Sequence, residues 1–504
     1  MALAHLGRLA DAHRFLLAGA QQCPRQKRFP EELAGVAFEQ KRNPEAARFL
    51  LRALALDPHD AYADNFLGTV YDLSGNLPAA LKYWNRIDKP YIASLDLDPH
   101  LRVHRLLLDR AFVFSPAAVL RAPQFAATQV RLRGLDLFPA YTLHLDALPS
   151  GSFNAVFRAE ERDGFGPSRL AALLSAFSGA PYETLYPAYA NLHRDAMNLD
   201  SLLRWDAQKR RLWVSLAAPS REMPQYRWQI SSDLRNENWA IRRSFTGTAP
   251  VLAALNLERE AASASFTDFH SGWLTASFGA GLVHRTFRGV VPGAALTPSL
   301  LTPGFDIDQT ATLDARLLSV PEHRITLNAG AASTFARTFS SPSHLFETLQ
   351  GSAHAHWLPH FTGDADDLSF RFRAARIFGT PPFDQLFLFG MDRDDTDLNL
   401  HAHIATRDGR KGSAPIGNAY VLANFDEAHC LWTNGLITLA AGPLLDIGRM
   451  TAPTTGLSAG QALVDAGLEA RLTVLHTTLV LSYGRDLRTG TNAFWATAAP
   501  PLAP

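Results

Sequence analysis

The chain has 504 residues with 48 Lys+Arg against 48 Asp+Glu, so nothing in its overall charge calls for nucleic acid or an anionic surface. Hydrophobic residues make up 47% and mean hydropathy is −0.06, yet no window approaches the about 18 to 20 uninterrupted apolar residues of a spanning helix, which excludes a helical membrane protein. Cys23 and Cys430 lie in regions that read as different domains, which argues against a disulfide framework.

Met1 is followed by ALAHLGRLADAHRF, without the basic start, apolar centre and small-residue cleavage site of a secretory signal. Gly35, Phe38, Ala47 and Leu51 recur as Gly68, Tyr71, Ala80 and Trp84, a constant shift of 33, and RNPEAARFLLRAL is echoed by GNLPAALKYWNRI. Small and large residues at these offsets resemble the tetratricopeptide repeat, in which the small positions let paired helices approach and the large ones fill the groove between them. Generic helical hairpins would give a similar pattern. GRLADAHRFLLAG matches the second helix of a preceding repeat, which leads us to expect the natural chain to begin further upstream. Residues 1–95 are therefore expected to be a helical, protein-binding array.

RVHRLLLDRAFVF reads as β-prone, and Ser115-Pro116 reads as the cap and first turn of a following helix. Tyr141, Leu143 and Leu145 alternate with Thr142, His144 and Asp146, turn through Pro149-Ser150-Gly151, and resume with Phe153, Ala155 and Phe157. This strand, helix, hairpin order over residues 100–162 resembles a POTRA domain, whose open strand edge can accept an extended client; a stand-alone ferredoxin-like unit is the alternative.

From about residue 190 the period is two. Tyr226, Trp228, Ile230 and Leu234 face one way, Arg227, Gln229, Asp233 and Arg235 the other. A hairpin around Pro321-Glu322 sets Ala311, Leu313, Ala315 and Leu317 against Thr312, Asp314 and Arg316, and Phe370 and Phe372 oppose Arg371 and Arg373. Segments of about ten alternating residues with turn clusters between them suit an antiparallel transmembrane β-barrel, apolar toward lipid and polar toward a wet lumen. Residues 190–498 have room for about 16 strands at nearly 20 residues each. A soluble β-sandwich also alternates, but with strands of about five or six residues.

In DTDLNLHAHIATRDGRKGSAPIG, His401 and His403 stand one residue apart, a spacing that puts both imidazoles on one side of a strand and resembles half a metal site. His354, His356 and His360 are spaced similarly. No β-α alternation, which would bring further ligands from later parallel strands, surrounds the pair, and the second group has no more support, so no metal and no cofactor is assigned; GRKGS lacks the spacing of a phosphate loop.

The segment instead resembles the inward-folding loop of the outer membrane assembly and two-partner secretion superfamily, a resemblance covering about residues 100 to 498. PFDQLFLFGMDRD resembles the strand entering that loop, GNAYVLANFDEAHCL the strand leaving it, GPLLDIG the FxDxG strand motif with Leu444 in place of Phe, and TTLVLSYGRDLRTGTNAFWATAA the last two strands. The resemblance implies that a loop-tip arginine pairs with the motif's carboxylate, Asp446, beside Gly448; here His401 occupies the arginine position. A neutral imidazole cannot make the bidentate, always-charged contact of a guanidinium, so the lock is expected to be weaker and pH-sensitive unless Arg407 or Arg410 substitutes.

The expected protein is thus multidomain: helical repeats, a POTRA-like α/β unit and an outer-membrane barrel. The expected activity is insertion or secretion of β-rich clients, without enzymatic chemistry, from the bacterial outer membrane with the N-terminal domains in the periplasm. Its expected partners are the lipid bilayer, unfolded β-rich clients and periplasmic proteins docked on the repeats, with no nucleic acid. A polysaccharide-export porin with periplasmic repeats and a soluble repeat protein with a β-rich domain are the alternatives.

Overall fold

The computed structural model describes the chain except residues 1–2, 4–5, 167–172, 174–175, 243–250, 292–295, 341–342, 393–396, 436, 452–460, 475–476 and 500–504. The C-terminal tail APPLAP therefore lies almost wholly outside the described residues. No described helix is long and apolar enough to cross a membrane.

Five helices open the chain: α1 (Leu9–Gln22), α2 (Arg28–Glu39), α3 (Asn43–Leu56), α4 (Ala61–Leu73) and α5 (Leu77–Trp84). Pro near the start of α3 and α5 suits the first turn, where its missing N–H has no helical partner to lose. A Cβ on Gly68 would lie 2.3 Å from the Trp84 ring, so the glycine of α4 makes room for the indole of α5, whereas one on Gly35 at the matching offset would meet nothing within 4 Å.

The α/β unit that follows contains β1 (Tyr91–Leu97), α6 (Arg105–Ala111), β2 (Ala118–Val119), α7 (Ala122–Leu135), β3 (Ala140–Ala147) and β4 (Phe153–Glu160), in sheet order β2-β1-β4-β3. The expected hairpin is β3–β4, with Leu145 buried and Thr142, His144 and Asp146 exposed. Two local expectations are corrected. The stretch expected as a strand at 102–114 is largely α6, because Leu107, Leu108 and Ala111 fall on one helical face and bury together. The second helix starts at Ala122 after Arg121, with Pro123 in its first turn, rather than at Ser115-Pro116; Ala118–Val119 pairs with β1 first.

Apart from a separate pair of two-residue strands, Phe387–Leu388 and Ile416–Gly417, the rest is one large antiparallel sheet. Its wall begins with β5 (Thr184–Leu185), β6 (Ala188–Leu192), β7 (Met197–Trp205), β8 (Lys209–Pro219) and β9 (Tyr226–Arg242), and continues through β10 (Val251–Asp268), β11 (Leu274–Val291) and β12 (Gly304–Val320). Next come β13 (Ile325–Phe339), β14 (His344–Trp357), β15 (Asp366–Gly379) and the short β16 (Phe387–Leu388), β17 (Thr406–Arg407), β18 (Arg410–Lys411) and β19 (Ile416–Gly417). The wall finishes with β20 (Ala419–Thr433), β21 (Ile437–Thr451), β22 (Leu463–Val474), β23 (Thr477–Asp486) and β24 (Asn492–Ala499). Strands reach 18 residues, longer than the ten expected. The order of neighbours returns from β24 to β5, where the first strand offers only two residues and the Tyr182 hydroxyl donates to the Ala496 carbonyl at 3.3 Å.

The two faces of the wall differ as the period of two requires. On β12, Leu313 is 51% and Leu317 63% exposed, while Asp306 between exposed Phe305 and Ile307 is 1% exposed. Interior charges are matched: Arg211 Nε lies 2.9 Å from Asp233, and Arg285 bridges Asp306 at 2.5 Å and Asp384 at 2.7 Å. The N-terminal units pack on turns at one end of the strands. Lys82 Nζ and the Tyr83 hydroxyl reach Glu322 at 2.5 and 2.7 Å, Asn76 donates to the Pro321 carbonyl at 2.8 Å, and Arg131 of α7 donates to Gln225 at 2.7 Å.

Candidate functional site: a segment folded inside the sheet

β15 pairs directly with β20, from Asp366↔His429 to Arg376↔Ala419, so residues 380–418 leave the wall and return to it without interrupting the ladder. PFDQLFLFGMDRD, expected as the strand entering the loop, is already inside it: the entering strand is β15, and within that stretch Phe387–Leu388 forms a short strand paired with β19. The segment is anchored along its length by apolar residues. Phe383 meets Trp239 edge-on at 4.9 Å between ring centres, and Phe389 meets Tyr420 at 5.5 Å. Gly390, with φ +107°, allows the close approach, since a Cβ there would lie 2.6 Å from the His403 carbonyl oxygen.

Buried charges hold both halves, Asp392 before the tip and Lys411 after it. Lys411 Nζ donates to both Glu237 oxygens at 2.9 and 3.1 Å, and Lys209 Nζ donates to Asp392 at 3.1 Å. A buried ammonium is tolerable only when paired in this way. Arg407 sits in β17, paired across the β17–β18 ribbon with Arg410, which donates to Gln208 at 3.0 Å.

At the tip, Asp446 accepts three hydrogen bonds: the His401 backbone N–H at 2.9 Å, His401 Nδ1–H at 2.6 Å and Asn424 Nδ2 at 2.6 Å. Asp446 is fully buried and His401 nearly so. The structure thus brings His401 and Asp446 together; Arg407 is not among the partners that the described residues give Asp446. Gly448 lies on the same strand, and a Cβ there would meet Phe389 and Leu400 of the inward segment at 3.1 and 3.3 Å. Gly484 serves the tip more tightly still: a Cβ on it would lie 2.3 Å from the His401 carbonyl carbon.

Two residues that the sequence reading did not single out complete the tip. Asp465 accepts the Ala402 N–H at 2.7 Å and His403 Nδ1–H at 3.0 Å, and His403 Nε2 lies 3.7 Å from Asp486. The wall registers Asn424↔Asp446, Asp446↔Asp465 and Asp465↔Asp486 set these side chains in one row across β20–β23. A DxG repeat, Asp446-Ile-Gly448 and Asp465-Ala-Gly467, was the available sequence signal for Asp465.

No family model matches the sequence, and no curated protein matches it. The fold defines a class: a large antiparallel sheet with an inward segment, preceded by a small α/β unit and a helical region. It is similar to CdiB from Escherichia coli, with TM-score 0.54 and 11% identity over 82% of this chain and 77% of that one. Two further solved structures match: CdiB from Acinetobacter baumannii (TM-score 0.47, 10% identity, 89% and 81% covered) and BamA from Haemophilus ducreyi lacking POTRA domains 1-3 (0.45, 12%, 81% and 85%). At 11% identity the likeness concerns the fold: the chain shares the fold of the CdiB structure from Escherichia coli.

Proposed function

We propose that the chain is a bacterial outer-membrane β-barrel that inserts or secretes β-rich client proteins, making and breaking no covalent bond. The observation that carries this reading is the segment 380–418 folded within the barrel and fastened at its tip through His401 and Asp446. A fastened interior leaves two routes for work: movement of the segment, or opening of the wall at its weakest line. The short β24–β5 seam supports the second route, since parted strands offer backbone donors and acceptors that an extended client can pair with. In this reading the expected 190–498 region, together with β5 and the start of β6 just before it, forms a transmembrane barrel of about 16 strands. Residues 1–95 are tetratricopeptide-like repeats that dock periplasmic proteins, and residues 100–162 are a POTRA-like unit whose edge strand β3 is open to a client.

The apolar outer face, with Ile230, Phe278 and Leu317 all more than half exposed, favours a lipid surround over a soluble sheet. A polysaccharide exporter would be served by a lumen of one charge sign, whereas these interior charges alternate, as in Arg285 with Asp306 and Asp384. The test is reconstitution of the full chain in liposomes with an unfolded β-rich client added on the side of the N-terminal domains. The reading expects the client to become folded and protease-protected or to cross; a client that stays protease-sensitive at the rate of empty liposomes overturns it.

A further inference from the structure

The row of aspartates poses an electrostatic problem. Directly opposed cross-strand side chains are about 4.5–5.5 Å apart at Cβ, and like charges so placed destabilise a sheet. Asp446, Asp465 and Asp486 occupy three such neighbouring positions, all at 0% exposure, with Glu469 a turn of the pleat away and 3.9 Å from His401 Nε2. Glu469 has its own cation in Arg471, at 2.7 Å. The three aspartates have only the imidazoles of His401 and His403 as cationic partners among the described ion pairs, two groups of at most one charge each.

The three parts of the lower site converge. One nitrogen of His403 and one oxygen each of Asp465 and Asp486 lie within 4.8 Å of one another, contributed by the inward tip and by two adjacent wall strands. Ligands about 2.0–2.2 Å from a zinc ion are themselves about 3–4.4 Å apart, so closing on an ion asks for rotamer adjustments rather than movement of the backbone. A second observation points the same way. Asp465 Oδ2 is occupied by the Ala402 and His403 donors, but Asp465 Oδ1 is buried without a hydrogen-bond partner, a cost that a bound cation removes.

We propose that His403, Asp465 and Asp486 form a divalent-cation site, of the imidazole-and-carboxylate composition that suits zinc, which ties the tip of the inward segment to β22 and β23. Water or the Thr489 hydroxyl, which already donates to Asp486 at 2.6 Å, completes the coordination. The ion does the work that two imidazoles do incompletely: it neutralises adjacent carboxylates on separate strands and bonds the loop to both. The site rests on the geometry of the tip and not on the transport reading, so either can fail without the other.

The test uses the full chain, purified without a histidine tag, in detergent, stripped with chelator and titrated with Zn²⁺ and with Co²⁺. To remove a competing surface group, all proteins carry His360→Ala, because His360 and His429 both contact Asp366 on the exposed side. The expected result is one zinc per chain by elemental analysis, visible Co²⁺ absorption bands, and at least a tenfold loss of affinity in each of His403→Gln, Asp465→Asn and Asp486→Asn. Each variant is first shown to keep the heat-dependent gel shift of a folded barrel; a variant that loses the shift is replaced by its Ala counterpart, and the assignment stands only if two of the three positions weaken binding in a folded barrel. Absence of stoichiometric binding in the parent protein, or binding unchanged by substitution at these positions, overturns the proposal.

Discussion

Asp446→Ala removes the acceptor on which the tip of the inward segment converges. Three donors lose their partner at a fully buried point: the His401 backbone N–H, the His401 imidazole and the Asn424 amide. Each orphaned buried donor costs about 1–3 kcal/mol, and removing one partner of a buried charged pair costs about 3–5 kcal/mol. Because water can enter the space left by the carboxylate, the lower figure for the pair, about 3–5 kcal/mol in total, is the appropriate scale. At about 1.4 kcal/mol per factor of ten, the segment should open on the order of 10² to 10⁴ times more often. Trypsin reports this opening, since Arg407, Arg410 and Lys411 lie in the β17–β18 ribbon, with Lys411 1% exposed. Where opening and closing are fast, cleavage tracks the open population. Cleavage at these three sites should therefore accelerate at least a hundredfold in the variant. A rate equal to that of the parent, in a protein that still shows the heat-dependent gel shift, would refute the view that Asp446 fastens the tip.

Other substitutions separate the parts of this picture. His401→Arg, which supplies a permanently charged guanidinium opposite Asp446, should keep or improve resistance to trypsin at the same sites. Gly484→Val should expel the tip, since its Cβ would fall 2.3 Å from the His401 carbonyl carbon, whereas Gly351→Ala on β14, with nothing within 4 Å, should behave like the parent in the same assay. Glu322 governs the seating of the helical region. Burial would raise its carboxyl, but the bonds from Lys82 and Tyr83 outweigh burial and hold it below the ordinary value. A carboxyl depressed in the docked state contributes fully above the undocked pKa of about 4.3 and loses that contribution as pH falls through the docked value. Energy transfer between dyes on the two native cysteines, Cys23 and Cys430, should thus be steady from neutrality down to about pH 5 and change below about pH 4, while Glu322→Gln should show the changed value at neutral pH. A Glu322→Gln protein with parent-like transfer at pH 7 would count against this contact as the clamp.

Much of the wall was legible because alternation carries both strand type and facing. Leu313 outward and Asp306 inward on the same strand follow from a period of two, and a slip of one residue would reverse every side chain. Asp446 and His401 were legible only through resemblance of their surroundings to a known motif; nothing in their spacing, 45 residues apart, couples them. Asp486 carried no such signal, and the DxG spacing that marks Asp465 says nothing of its partners, for a related reason. Their neighbourhood is created by strand register, and a single sequence states which residues face the interior but not which stand opposite one another. Arg105–Ala111 misled because three clustered leucines fit a buried strand as well as a helical face when the run is only seven residues long. The strands outran the expected ten residues because the hydrogen-bonded ladder runs along nearly the whole of β10 and β11.

The central claim is the proposed barrel, whose apolar outer face meets lipid and whose ladders hold its wall from β7 to β15 and on through β20 to β24. Gel mobility of the detergent-extracted full chain, with and without boiling, tests it most directly. A barrel held by these ladders should remain folded in cold detergent and migrate faster unheated than boiled; identical migration of the two samples would contradict the account.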